Sequence, residues 1–229
     1  MSYKIYKVED SDRPFYIQDF KNSDYLIIAF SGYGQNFEWF RSMRKYESDY
    51  NFSKFWLRDL SKAYWHGKFP GVGVGVKSLA KFINEKINES QAKKVMTIGL
   101  SMGGYAALLF GCLCNVDLVL SFSGQTHLPK YRRTKYKLYE RWDGIDVDEN
   151  DIDLKTLFQK YNTNNKTIYK LFYGENYGND KNYAEYLKDQ RGVEFYPVKS
   201  SRHNSVKAAR KMGYIDRFIK SFLDGELNI

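Results

Sequence analysis

Residues 94–111 read KVMTIGLSMGGYAALLFG, and the order of residue types in that stretch decides the fold. KVMTIG at 94–99 is a short apolar run of the kind that forms a buried strand. GYAALLFG at 104–111 is apolar and rich in small residues, which lets a helix pack close against a sheet. Between them, Gly99-Leu100-Ser101-Met102-Gly103 matches G-x-S-x-G, a strand-to-helix turn so sharp that it strains the backbone of its serine and exposes the hydroxyl. A glycine on each side leaves room where a side chain would collide with the neighbouring strand or helix. Such a five-residue pattern arises by chance in roughly one chain in ten of this length, so the strand before it and the helix after it carry the weight.

Working outward, short β-branched or aromatic runs predict strands at 25–30, 54–58, 94–99, 117–122, 167–173 and 193–198. Each is followed by a segment of helical periodicity, clearest at 76–89, 102–114, 181–190 and 205–223. In the first of these, Val76, Leu79, Ala80, Ile83 and Ile87 share one stripe. The alternation predicts an α/β fold, a mostly parallel twisted sheet with helices on both faces. Right-handed crossovers then bring every strand-to-helix loop to one edge of that sheet, where ligands bind. Residues 2–8 and 14–19, joined by Glu9-Asp10-Ser11-Asp12, predict an antiparallel N-terminal edge. The charged, aromatic, unperiodic segment 124–155 is expected as a small cap or a mobile loop.

At 229 residues and 27.0 kDa, with 43% hydrophobic and 17% aromatic residues, the chain is expected to form one domain over 1–229 with a thick core. The N-terminus has no secretory pattern and no window holds the ~18 apolar residues of a membrane span, so a soluble, cytoplasmic protein is expected. Cys112 and Cys114, two apart on a helix, point in different directions and read as core thiols. A net charge of +9 suits an anionic substrate, a membrane surface or nucleic acid. However, the 36 basic residues are interspersed with 27 acidic ones, only Lys130 to Lys137 is densely basic, and no nucleic-acid module is present, so a nucleic-acid partner is not expected. Gly71-Val72-Gly73-Val74-Gly75 fails as a dinucleotide loop because it starts about a dozen residues after its strand, and it reads as a helix entry. No His, Cys, Asp or Glu cluster has metal-ligand spacing, so neither metal nor cofactor is expected.

The stretch 98–111, IGLSMGGYAALLFG, resembles the nucleophile elbow of bacterial esterase-like members of the α/β-hydrolase superfamily, and the resemblance extends to element order over nearly the whole chain. Residues 58–67 also resemble, loosely, hydrolase-like proteins found with bacterial surface-polysaccharide genes. The superfamily resemblance implies a triad in the order serine, acid, histidine, with the acid after the strand next but one beyond the elbow and the histidine after the last strand.

A serine hydroxyl needs a base, and imidazole has the appropriate pKa. His203, five residues beyond Val198 and ahead of the terminal helix, occupies the implied position. His66 and His127 fall at the same sheet edge, as solvated loop residues or as pocket lining. The acid comes from Gly174-Glu175-Asn176-Tyr177-Gly178-Asn179-Asp180, where Tyr177 fills the near position usual for the acid. Asp180 is preferred, because it precedes the predicted helix and a longer loop can return it to the histidine; capping that helix is its other role, and Glu175 is the alternative acid. An oxyanion hole is expected from the Met102 N–H and from Gly32 or Tyr33, which the sequence does not separate. Tyr33, Tyr64 and Trp65 are expected to line an acyl or leaving-group pocket, or else to be surface packing.

The expected function is hydrolysis of a carboxylic or thio-ester through an acyl-enzyme, on a small-molecule or glycan ester. An acyltransferase would use the same serine. The alternative from another class is a non-catalytic hydrolase-fold accessory protein of glycan biosynthesis or secretion, favoured by the missing acid at the near position. The oligomeric state is not constrained.

Overall fold

The computed structural model describes residues 16–35, 39–162 and 166–226. In chain order its elements are β1 (Tyr16–Asp19), β2 (Tyr25–Phe30), α1 (Phe40–Arg44), β3 (Ser53–Leu57), β4 (Lys68–Phe69), β5 (Gly73–Val74), α2 (Gly75–Ser90), β6 (Lys94–Leu100), α3 (Met102–Leu113) and β7 (Leu118–Phe122). There follow α4 (Lys130–Lys135), α5 (Leu138–Arg141), α6 (Leu154–Tyr161), β8 (Ile168–Gly174), α7 (Gly178–Glu185), β9 (Val193–Val198), α8 (Val206–Lys211) and α9 (Tyr214–Leu223).

The main sheet is seven-stranded in the order β1-β3-β2-β6-β7-β8-β9. All neighbours pair in parallel except β1, which runs antiparallel along β3 with Tyr16 opposite Leu57. The chain steps from β2 outward to β3 and later returns to the other side of β2 with β6, so the order reverses between β2 and β6. Loops leaving adjacent strands diverge at such a reversal and open a crevice at the carboxyl ends. Phe30, the last residue of β2, lies opposite Gly99, so the loop starting at Ser31 and the serine at position 101 share that crevice.

Strand side chains alternate between two cores because both faces of the sheet are covered. On β2, Leu26, Ile28 and Phe30 join the core beneath α2, α3 and α6, while Ile27 and Ala29 join the core beneath α1, α8 and α9. Helix α3 is buried at every position from Met102 to Cys112, which accounts for its lack of a polar face. Its outer side is covered by α6 and by the segment before α6.

Several boundaries differ from the sequence-based expectation. Residues 2–8 lie outside the described residues, and the strand expected at 14–19 is described as β1, whose partner is β3. The helix expected over 205–223 is broken into α8 and α9 at Gly213, which takes a φ of 75°. Helix α7 starts three residues before the expected position, so Asp180 lies inside its first turn and not ahead of it.

The segment 124–155 carries the short helices α4 and α5 between stretches without regular structure, and parts of it pack into the core. Leu128, Leu138, Trp142 and Ile152 are buried in the α3-side core, and a β-bridge joins His127 to Asp153. The Trp142 indole donates to the Ala63 carbonyl at 2.8 Å. The Gly71–Gly75 run closes the β4–β5 ribbon and opens α2. No helix among the described residues is long and apolar enough to cross a membrane.

Candidate active site

Ser101 stands between β6 and α3 with φ 57° and ψ −118°, a conformation that costs a non-glycine residue about 1–3 kcal/mol. The surroundings hold it there. Its N–H donates to the Phe122 carbonyl at 2.8 Å, and its own carbonyl accepts the Tyr105 N–H at 2.9 Å. The motif glycines mark backbone contact: a Cβ at Gly99 would sit 2.0 Å from the Gly103 carbonyl oxygen, and one at Gly103 would sit 2.3 Å from that of Phe30.

His203 Nε2 lies 2.8 Å from Ser101 Oγ, and its Nδ1 lies 2.8 and 3.1 Å from the two carboxylate oxygens of Asp180. An ionised carboxylate only accepts, so Nδ1 carries the imidazole proton and Nε2 is left to accept from the serine hydroxyl. The Asp180 side chain is 2% exposed and that of His203 is 40% exposed, so the charge partner is dry while the imidazole meets solvent. The Asp180 carboxylate comes from the first turn of α7, and the Tyr177 ring packs 6.0 Å from that of His203. Glu175 is exposed. Its backbone N–H donates to Val198 O and that of Asn176 to Ser200 O, which fastens this loop to the one carrying His203.

A buried serine pair fixes the histidine loop from behind. The Ser123 hydroxyl accepts the Ser205 N–H at 3.3 Å and donates to Ser205 Oγ at 2.9 Å, while the Ser205 hydroxyl donates to the Phe172 carbonyl at 3.2 Å. The ends of β7 and β8 are thereby tied to a point two residues past His203. Ser123 holds a left-handed φ of 48°.

The loop after β2 begins with Ser31 N–H donating to Leu57 O and turns where Gln35 N–H donates to Gly32 O. Met102 is the first residue of α3, where a backbone N–H has no helical acceptor. The Ser31 carbonyl oxygen would lie 2.9 Å from a Cβ on Gly103, so this loop and the start of α3 are in contact.

No protein-family model matches the sequence, and no curated protein matches it significantly. Solved structures do. The capsule O-acetyltransferase of Neisseria meningitidis serogroup A aligns with a TM-score of 0.69 and 16% identity over 90% of each chain. FphF, a fluorophosphonate-binding serine hydrolase of Staphylococcus aureus, aligns with a TM-score of 0.61 and 15% identity over 92% of this chain and 86% of its own. An esterase of Pyrococcus furiosus aligns at 0.57 and 15% identity over 97% and 94%. The chain has the α/β-hydrolase fold.

Within this α/β-hydrolase fold the other residues singled out from the sequence take different places. Tyr64 and Trp65 are buried, at 1% and 0% exposure. Both have left-handed φ values, 52° and 68°, and the turn is held by Asp59, whose carboxylate accepts the Trp65 N–H at 2.8 Å and the Ser61 hydroxyl at 2.5 Å. The Trp65 indole donates to the Met102 carbonyl at 3.0 Å, so this pair braces the elbow from within. Burial raises the Asp59 pKa, opposed by the hydrogen bonds from Ser61 and Trp65.

His66 is buried, not solvated, and its Nε2 is 2.8 Å from the Tyr105 hydroxyl. That hydroxyl also lies 3.2 Å from the Asp151 carbonyl, so it bridges the ring and the backbone. Burial pushes the His66 pKa down to about 3. His127 is half-buried between the rings of Tyr183 and Tyr186, at 5.1 and 4.4 Å, and burial lowers its pKa too. Among the described residues His203 is the histidine that meets Ser101. Tyr33 is half-buried with its ring 5.2 Å from that of Tyr136. Sequence reasoning overlooked Ser123 and Ser205, which no motif marks, and Arg132, whose only signal was membership of the basic stretch.

Proposed function

We propose that the chain is a serine esterase acting through an acyl-enzyme, with Ser101 as nucleophile, His203 as general base and acid, and Asp180 as the carboxylate that orients the imidazole. The observation that carries this reading is the unbroken hydrogen-bonded line from Asp180 through His203 to Ser101, at 2.8 Å on each side of the ring. Ser101 Oγ attacks the acyl carbonyl as its proton passes to His203 Nε2, and the Asp180 charge offsets the imidazolium. The oxyanion is received by the Met102 N–H and by that of Gly32 or Tyr33; one such donor contributes roughly 10²–10³ in rate. Collapse breaks the ester bond, and His203 returns the proton to the leaving alkoxide or thiolate. Water, deprotonated by the same nitrogen, then releases the acid and restores Ser101.

The accessory-protein alternative leaned on the missing acid after Gly174. A buried carboxylate 2.8 Å from the imidazole, drawn from α7, supports the enzymatic reading over it. A second reading is favoured by the greater similarity to the capsule O-acetyltransferase, at TM-score 0.69 against 0.61 and 0.57 for the hydrolase and the esterase. In it a sugar hydroxyl takes the place of water in the second half-reaction, and the first half is unchanged.

Reaction with a fluorophosphonate probe tests the shared step. Rapid labelling of the wild type that disappears in Ser101→Ala is expected, whereas a wild type that stays unlabelled across pH overturns the enzymatic reading. Partitioning of an acyl group between water and added sugar then separates hydrolase from transferase.

A further inference from the structure

We propose that Arg132 forms a subsite for an anionic group, a carboxylate or a phosphate, on the substrate whose acyl bond Ser101 attacks; the assignment rests on the serine-ester reading above. Arg132 lies on α4 and is half-buried. Its Nε donates to the Tyr183 hydroxyl at 2.8 Å and its Nη1 to the Tyr64 hydroxyl at 3.4 Å. Its guanidinium carbon sits 4.9 Å from the centre of the Tyr183 ring and 5.5 Å from that of Tyr136.

The surrounding rings tie this cation to the parts of the candidate site. Tyr183 is three residues beyond Asp180 on α7. Tyr64 precedes Trp65, whose indole holds the Met102 carbonyl. Tyr136 packs on Tyr33, the neighbour of Gly32. The loops following β2, β3 and β7 and helix α7 after β8 thus each send a side chain to the guanidinium or to a ring touching it, and all of them follow parallel strands, at the sheet edge where Ser101 stands.

The charge is also unmatched. Among the described residues no carboxylate oxygen lies within 4.0 Å of Arg132, whereas Arg133, the next residue, pairs with Glu149 at 2.6 Å. The phenols around Arg132 do not supply an anion, since burial pushes the Tyr64 pKa up and that of Tyr183 to about 12. A guanidinium has five N–H donors in a planar fork suited to carboxylate or phosphate, and the two phenols account for Nε and Nη1. Partial burial among aromatic rings strengthens its pull on an incoming anion relative to that of a solvated surface lysine.

The experiment compares three acetate esters, methyl 4-acetoxybenzoate, 4-acetoxybenzoate and 4-acetoxyphenyl phosphate, in wild type, Arg132→Gln and Arg132→Lys at low ionic strength. In Arg132→Gln the ratio of kcat/KM for an anionic ester to that for the neutral one is expected to fall roughly tenfold to a hundredfold, the scale of one charge-assisted hydrogen bond, chiefly through KM. Arg132→Lys should recover part of it, and added salt should erode the wild-type preference. The ester showing the greater loss, benzoate or phosphate, names the source of the anion. An unchanged ratio in both variants overturns the proposal and leaves Arg132 as a structural clasp between α4 and α7. Failure of Ser101 labelling by fluorophosphonate would condemn the ester reading separately. Binding of 4-hydroxybenzoate and inorganic phosphate, followed by titration calorimetry, then decides: affinity at least tenfold weaker in Arg132→Gln supports the subsite, and equal affinity overturns it.

Discussion

Two histidines stand at the same edge of the sheet, each with Nε2 2.8 Å from a hydroxyl, and their surroundings are opposite. His203 meets Ser101 on one side and the Asp180 carboxylate on the other, with 40% of its side chain exposed. His66 meets Tyr105, is 2% exposed, and has its pKa driven down to about 3 by burial. Burial with no facing carboxylate holds the His66 imidazole neutral, whereas His203 has a carboxylate on one nitrogen and access to solvent. The hydroxyls differ in step. That of Tyr105 also reaches the Asp151 carbonyl at 3.2 Å, while that of Ser101 faces His203 Nε2.

The strongest way to break this contrast is to remove the carboxylate that distinguishes the two. Asp180→Asn is expected to lower kcat for a generic ester about 10⁴-fold, because an amide can hold the imidazole in the wrong tautomer. Glu175→Gln should leave kcat within about twofold, since that side chain is exposed and makes no bond to His203. Kinetics on the two purified variants give the answer, and the reverse pattern would transfer the acid to Glu175.

A smaller effect is expected from the serine pair that locates His203. Ser205→Ala removes the acceptor for the Ser123 hydroxyl and a donor to the Phe172 carbonyl, both buried. A drop in kcat of roughly tenfold should accompany a stability loss of about 1–3 kcal/mol for the Ser123 hydroxyl left without an acceptor, while the Phe172 carbonyl keeps the Ser123 N–H. A variant that loses stability but keeps kcat and its pH profile would show that the pair supports the core and does not position the imidazole.

The parts legible from sequence are those with local causes. The parallel strands are continuous apolar runs because both faces are buried, and the elbow announces itself because backbone contact at Gly99 and Gly103 excludes every other residue. That Ser101, Asp180 and His203 meet follows from chain order combined with the common loop edge of a parallel sheet. What depends on depth was not legible. Trp65 after a strand reads as pocket wall or surface packing, and its left-handed backbone, held by Asp59 six residues earlier, turns it inward beneath Met102. In 124–155 the buried residues Leu128, Leu138, Trp142 and Ile152 are spaced too irregularly for any helical or strand period, so a packed segment looks like a loose one. The break in the last helix had a visible signal in Gly213, which the long apolar periodicity on either side overrode.

The smallest effect sharpens the comparison from the buried side. The unfolded chain protonates His66 near its ordinary pKa of about 6.5, whereas the folded chain resists protonation until about pH 3. Between those values the unfolded state binds more protons, so stability rises with pH, by at most about 1.4 kcal/mol per unit, and is lost as pH falls from about 6.5 toward 3. Asp59 acts in the opposite sense at the low end. Its pKa is raised by burial, so the folded state takes up that proton first and regains stability as the carboxyl neutralises. His66→Gln keeps an N–H donor for Tyr105 and removes the titration. At pH 7 it should cost about 1 kcal/mol through imperfect geometry. By pH 5, where the wild type has lost about 2 kcal/mol that the variant never had, the variant should equal or exceed it. Denaturant unfolding at the two pH values reads the crossing directly. Parallel stability losses in the two proteins would mean that the acid sensitivity comes from elsewhere and that His66 is not held neutral by its burial.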